Sequence, residues 1–142
     1  VTNRLPEWAQ PVVDYIIHVG LKNTLIIAST SVVLSVVIGV VLGTLLTLDA
    51  RLVRSAVRLY IEIWRGLPII VTIFLLYFAL PTVSDELHFP ALDLDPMRAA
   101  ILGLALWGSA QIAEATRGAV QSIPREQHEA AAALGFGWVG RH

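Results

Sequence analysis

Polar and apolar positions divide this chain into long uncharged stretches separated by short charged ones. Residues 23–48 run for 26 positions without a charge or a proline, and about 20 predominantly apolar residues suffice to cross a bilayer as a helix. This predicts a first span at 23–48. A second uncharged run, 66–84, holds Ile69, Ile70, Phe74, Leu75, Leu76, Tyr77 and Phe78, with Pro68 and Pro81 near its ends. It predicts a second span, kinked near Pro68. The third run, 99–113, is short for a crossing unless it continues to Val120, where it carries Glu114 and Arg117; the span expected is 98–120. Around these lie an outer-side N-terminal segment (1–22), an amphipathic helix (50–65), an outer loop (82–97) and a cytoplasmic segment (121–142). The expected fold is a single all-α transmembrane bundle with three spans. Transmembrane strands are excluded, being about 10 residues long and alternating in polarity. A signal peptide is excluded too, because the first run exceeds an h-region of about 7–15 residues and 22 residues precede it.

Two finer periodicities sit on this framework. Ser31, Ser35, Gly39, Gly43 and Thr47 recur at every fourth position, a stripe of small residues that lets helix backbones approach closely in lipid. Packing within one bundle is favoured over a dedicated dimer motif at Gly39-Val40-Val41-Leu42-Gly43. In 50–65, Arg51, Arg54, Arg58, Glu62 and Arg65 share one arc at about 100° per residue. Leu52, Val53, Val57, Tyr60, Ile61, Ile63 and Trp64 take the remaining faces. Such a helix lies at or rises through the cytoplasmic interface, and its basic face suits either lipid phosphates or another subunit.

Composition agrees with a membrane protein: 56% of the 142 residues are hydrophobic, 15% are charged, and the mean hydropathy is +0.69. An ordinary domain is nearer 45–50% apolar and about 25% charged. Cysteine is absent, which removes disulfides, thiolate metal sites and thiol nucleophiles. The net charge of −1 gives no basic surface for nucleic acid. The charges are nonetheless unevenly placed. Arg51, Arg54, Arg58, Arg65, Arg117, Arg125 and Arg141 flank one side of the spans and only Arg4, Lys22 and Arg98 the other, where Asp85, Glu86, Asp93 and Asp95 also lie. Basic residues stay cytoplasmic, so the N-terminus and the 82–97 loop are expected outside. The chain starts at Val1 and stops at His142 just after a helical segment, and is expected to be part of a longer protein.

Glu114 is the ionisable residue that asks for an explanation, since a carboxylate at the end of an apolar span needs water, a cation or a cavity. It pairs with Arg117 at i+3 or lines a translocation path. Trp107, Gln111 and Glu114, at i, i+4 and i+7, share one helix face; that face suits a small zwitterionic solute or a neighbouring helix equally. In the C-terminal segment Ser122 is expected to cap a helix of about 11 residues, roughly 16 Å, that begins with Pro124 and Glu126 and stops at Gly135. Its middle, Glu129-Ala130-Ala131-Ala132-Ala133-Leu134, is slender enough to enter a groove on a soluble subunit. No catalytic constellation, metal-ligand spacing or phosphate-binding loop is present, and no cofactor is expected in this chain.

Glu129-Ala130-Ala131-x-x-x-Gly135 resembles the EAA loop of binding-protein-dependent ABC transporter permeases. Ile112-Ala113-Glu114-Ala115-Thr116-Arg117-Gly118, followed by Gln121-Ser122-Ile123-Pro124, is similar to the preceding segment in the polar amino-acid group (histidine, glutamine, glutamate, arginine, opine). Glu62-Ile63-Trp64-Arg65-Gly66-Leu67-Pro68, with Tyr77-Phe78-Ala79-Leu80-Pro81, resembles that group's second span. The resemblance implies an α-helical permease subunit of the bacterial inner membrane, commonly of five spans with its N-terminus outside, and not itself an enzyme. It implies a second permease subunit, identical or not, a cytoplasmic ABC ATPase and an extracytoplasmic amino-acid-binding protein as partners. Glu126, Glu129, Ala130, Ala131 and Gly135 would form the ATPase-coupling element. The family's loop runs on to an Ile-x-Leu-Pro element that is not reached here. Two other classes compete: a secondary transporter or channel with Glu114 as a proton or ion site, and a membrane scaffold assembled through the Ser31 to Thr47 ladder.

Overall fold

The computed structural model describes residues 6, 8–88 and 92–137, and all regular structure among them is helical. Helix α1 is one continuous rod, Ala9–Leu45, with a widened turn at Ile16–Leu21. There the Asp14 carbonyl accepts a bond from the His18 ring (3.0 Å). The expected outer segment and first span are thus one element of 37 residues, about 56 Å long, well over a hydrocarbon core of roughly 30 Å. Its outward side chains are exposed, Val32 by 60% and Val37 by 59%.

The chain turns at 46–50, where Arg54 Nη2 donates to the Leu48 carbonyl (2.7 Å) and meets Asp49 (3.4 Å). Helix α2, Arg51–Gly66, follows. Leu67, ahead of a proline and so steered away from helical angles, is extended at φ −91° and ψ 133°. Helix α3 then covers 69–87, with a widened turn at Leu75–Ala79 just before Pro81. The kink expected near Pro68 is in fact a break: α2 and α3 diverge by 104°. A proline inside a helix bends it, whereas here an extended residue precedes the proline and the hydrogen-bond ladder stops outright.

Helix α4, Pro96–Gln121, starts on Asp95, whose side chain accepts the Arg98 amide (2.8 Å) and pairs with the Arg98 guanidinium (3.1 Å). At 26 residues it is about 39 Å long. Helix α5, Arg125–Ala133, has Pro124 at its N-cap with no side-chain cap. Ser122 instead closes α4, its hydroxyl donating to Ala119 O at 2.7 Å, because Pro124 leaves a separate start between the two helices. Arg4 and Arg141, counted above for orientation, lie outside the described residues, as does the side chain of Arg125.

Helix α4 is the centre against which α1, α2 and α3 pack. Its buried positions are Ala99, Gly103, Ala105, Ser109, Ala110 and Ala113, all small, so neighbouring backbones come close. The larger core group lies at one end, where Leu46, Val57 and Ile61 close on Ala110 and Ala113, flanked by Leu42, Leu45, Tyr60 and Trp64.

The α1–α4 seam has a constant register. Ser31 Oγ donates to Ile101 O (3.3 Å) and Ser35 Oγ to Ala105 O (3.5 Å). One ridge further, a Cβ on Gly39 would stand 2.8 Å from Ser109 O, and one on Gly43 2.6 Å from Ala113 O. Both members of each pair advance by four residues and every pair is 70 apart, so the helices run parallel. Parallel neighbours require the chain between them to travel back, and α3 is the element that does so. By length and composition, among the described residues, α1 can cross a membrane unaided and the bent α2–α3 pair meets the same criteria as one broken span.

Candidate functional site

Among the described residues, hollows lie along α4 at three levels. The one at the N-terminal end of α4, about 480 Å³, is lined by Tyr77, Phe78, Pro81, Asp93, Asp95 and Arg98 among others. The middle one, about 420 Å³, is a nearly apolar groove between α1 and α4 that includes Ser31, Ser35, Trp107 and Gln111. The third, about 240 Å³, is charged: Arg58, Glu62, Arg65, Glu114 and Arg117 surround it with Leu46 and Ile61. Trp107 and Gln111 therefore share a groove, while Glu114 belongs to another compartment. One helix face serves both because α1 ends and α2 begins at that level. Residues 28–35 of α1 border the upper groove, and Leu46 with α2 borders the lower cavity.

Inside the charged cavity Arg117 holds Glu114. Its Nη2 lies 2.5 Å from Oε1 and its Nε 3.2 Å from both carboxylate oxygens, while Nη1 donates to Gln121. The pair is about two-thirds buried. With that pair neutralised, Arg58, Glu62 and Arg65 have no ion-pair partner among the described residues. Beyond the Glu114–Arg117 pair the cavity thus presents two cations and one carboxylate, chemistry able to meet both ends of a zwitterion.

Above it, Tyr60 of α2 reaches α4. Its hydroxyl is 2.7 Å from Ser109 Oγ and 3.4 Å from Leu106 O, and Ser109 donates to Leu106 O at 2.9 Å. Sequence patterning places Tyr60 among the apolar and aromatic faces of 50–65 and gives no sign of its pairing with Ser109. No local signal joins residues 49 apart. Thr72 was missed as well: it is fully buried, and its hydroxyl lacks a hydrogen-bond partner among the described residues.

Helix α5 is built differently. It stands off the other helices, and Glu126, Glu129 and Ala130 are exposed while Ala131 is half-buried. It spans 9 residues, about 13.5 Å, rather than 11. Gly135, at φ +83°, ends it: the Gly135 amide donates to Ala132 O and the Phe136 amide to Ala131 O, both at 3.0 Å. These are the paired bonds of a Schellman stop, and the left-handed residue they need is cheapest as glycine. On either side of the stop, Leu134 (78%) and Phe136 (55%) are exposed. The sequence signal for this apolar tip is a large hydrophobe on each side of the cap glycine in an otherwise polar segment.

The small-residue stripe is spent inside the chain. Ser31, Ser35, Gly39 and Gly43 are buried against α4. Thr47 is only half-buried, beyond the helix end, with its hydroxyl donating to Thr44 O (2.7 Å).

An apolar helix bundle with a charged mouth and a short detached helix beyond it describes a membrane transport component. Residues 16–141 match the family model described as binding-protein-dependent transport system inner membrane component, and the chain belongs to that family. It is 35% identical over 123 residues to the inner membrane amino-acid ABC transporter permease protein YhdY of Escherichia coli (strain K12), covering 84% of this chain and 31% of that protein. It is 43% identical over 77 residues to the glutamine transport system permease protein GlnP of the same strain, covering 54% and 33%. The chain therefore spans about a third of the length of the curated relatives it matches. A crystal structure of an amino acid ABC transporter with histidines aligns over 99% of this chain and 62% of its own, at a TM-score of 0.74 and 21% identity, which establishes the common fold.

Proposed function

We propose that the chain is the substrate-pathway and coupling portion of a permease subunit that imports a polar amino acid, driven by ATP hydrolysis in a separate subunit. The relatives' names supply the solute class. The observation that carries the coupling role is α5: a short exposed helix with Glu129-Ala130-Ala131 along it, a Schellman stop at Gly135 and an uncovered Leu134/Phe136 tip. Exposed apolar side chains beside a slender helix suit a protein groove better than water. Glu126 adds a carboxylate in the first turn, where the helix dipole favours it.

In this reading α1, the α2–α3 pair and α4 are three crossings, which the parallel α1–α4 register supports, and the uneven arginines put the N-terminus outside. Trp107 and Gln111 line the middle groove and Glu114 the mouth below it, along the path the solute takes. A binding protein delivers solute at the hollow by the N-terminal end of α4, and a second permease subunit completes the channel. Glu114 held by Arg117 on three bonds is better suited to a fixed charge than to a proton carrier, which favours ATP-driven over proton-driven transport.

The test is reconstitution of the full-length protein with its ATPase and binding protein, followed by a panel of amino acids. Stimulation of ATP hydrolysis by one polar amino acid supports the reading. Uptake that follows a proton gradient and ignores ATP would replace it with a secondary transporter centred on Glu114.

A further inference from the structure

Among the described residues, every side-chain hydrogen bond between α2 and α4 runs through the Tyr60 hydroxyl. Ser109 Oγ also donates to Leu106 O, and its bond to Tyr60 joins two hydroxyls, either of which can donate. Ser109 is fully buried, and its own carbonyl, with the Ile112 side chain, faces Gly39 of α1. The bond thus lands where three helices meet. Around it the α2–α4 contact is apolar, Val57 and Ile61 on Ala110 and Ala113. Apolar contact is non-directional and tolerates sliding; a hydrogen bond fixes distance and angle. Helix α2 also lacks stiff continuation at its far end, because the chain breaks by 104° before α3.

We infer that Tyr60 is a positioning residue, a latch that ties α2 to α4 at Ser109 so that movement entering α4 from α5 carries Arg58, Glu62 and Arg65 with it. Only Ser122, Ile123 and Pro124 separate α4 from α5, so a push on α5 reaches α4 directly. Without the latch α4 would slide past α2, and the charged mouth would no longer follow the ATPase cycle. This inference rests on the coupling function proposed above.

Tyr60→Phe is a clean probe, because Ser109 keeps its bond to Leu106 O and no buried polar group is orphaned. The full-length assembly in proteoliposomes is measured as wild type, Tyr60→Phe, Ser109→Ala and the double variant. The ratio of solute-stimulated to basal ATP hydrolysis is expected to fall roughly 3- to 10-fold in each single variant, the worth of one hydrogen bond. The solute concentration for half-stimulation should stay unchanged, and the double variant should be no worse than either single one. A structural role alone would lower thermal stability and leave the ratio intact. These 142 residues hold no cysteine; with any cysteines elsewhere in the assembly replaced, nitroxides on Leu59→Cys and Ala119→Cys report the α2–α4 distance, and Tyr60→Phe should broaden its distribution. An unchanged ratio in Tyr60→Phe, or additive losses in the double variant, overturns the latch. A wild-type assembly indifferent to every solute refutes the functional reading instead; the distance distribution then judges the latch alone, and one left unbroadened overturns it.

Discussion

The α1–α4 seam and the α2–α4 mouth use the same central helix in opposite ways. Along the seam, serine and glycine on α1 meet α4 carbonyls at a constant 70-residue register, and the Ile112 and Thr116 side chains fill the space that the two glycines leave. At the mouth, α2 presents arginines and a glutamate across a cavity of about 240 Å³ and touches α4 through a small apolar group and one tyrosine hydroxyl. A seam of backbones in contact has few alternative arrangements, since each slip must lift a whole ridge out of its groove. A cavity edged with long charged side chains has many. The fold thus pairs a rigid α1–α4 unit, able to move only as one body, with a loosely packed lip that follows it through one tyrosine hydroxyl and a small apolar contact.

Filling the seam should break this contrast most severely. A Cβ on Gly43 already falls 2.5 Å from Thr116 Cβ and 2.6 Å from Ala113 O, so Gly43→Leu forces the two backbones apart. Overpacking costs about 1–3 kcal/mol or more; thermal unfolding in detergent should show the loss, whereas Gly66→Leu, with open space around the Cβ, should show much less. Next comes the stop of α5. Gly135→Ala keeps the helix but puts a side chain at φ +83°, at about 1–2 kcal/mol. It should leave bundle stability unchanged and lower affinity for the ATPase, measured by co-purification. Glu114→Gln is smaller still for stability, roughly 0–1 kcal/mol, because the pair is partly solvated; equilibrium unfolding should barely move while solute selectivity changes. Least of all, Ser31→Ala removes one 3.3 Å bond in the seam, about 0.6 kcal/mol by the average for such bonds in membranes, and steric fit should hold the register regardless.

Features carried by local pattern were legible in the sequence. The Ser31–Gly43 stripe follows from four-residue spacing, α2 from the arc of its charges, and the end of α5 from a single glycine. What depended on distant pairing was not. Tyr60 looked like one more interfacial aromatic, because only the crossing of α2 over α4 brings Ser109 beneath it. Pro68 announced a bend but not its size, which is set by the extended Leu67. Ser122 fits an N-cap by residue type, yet the α4 ladder claims it first. Trp107, Gln111 and Glu114 do share a face, but the end of α1 partitions that face, and helix ends in space are not encoded in helical spacing.

The account stands on α5 being the point where ATP hydrolysis reaches the membrane helices. Its most direct test is Glu129→Arg in the full-length assembly, with ATP hydrolysis measured with and without the stimulating amino acid. Glu129 is exposed on a helix detached from the bundle, so the variant should insert and fold as wild type while losing ATPase association and stimulation. Wild-type association and fully coupled transport in that variant would contradict the assignment.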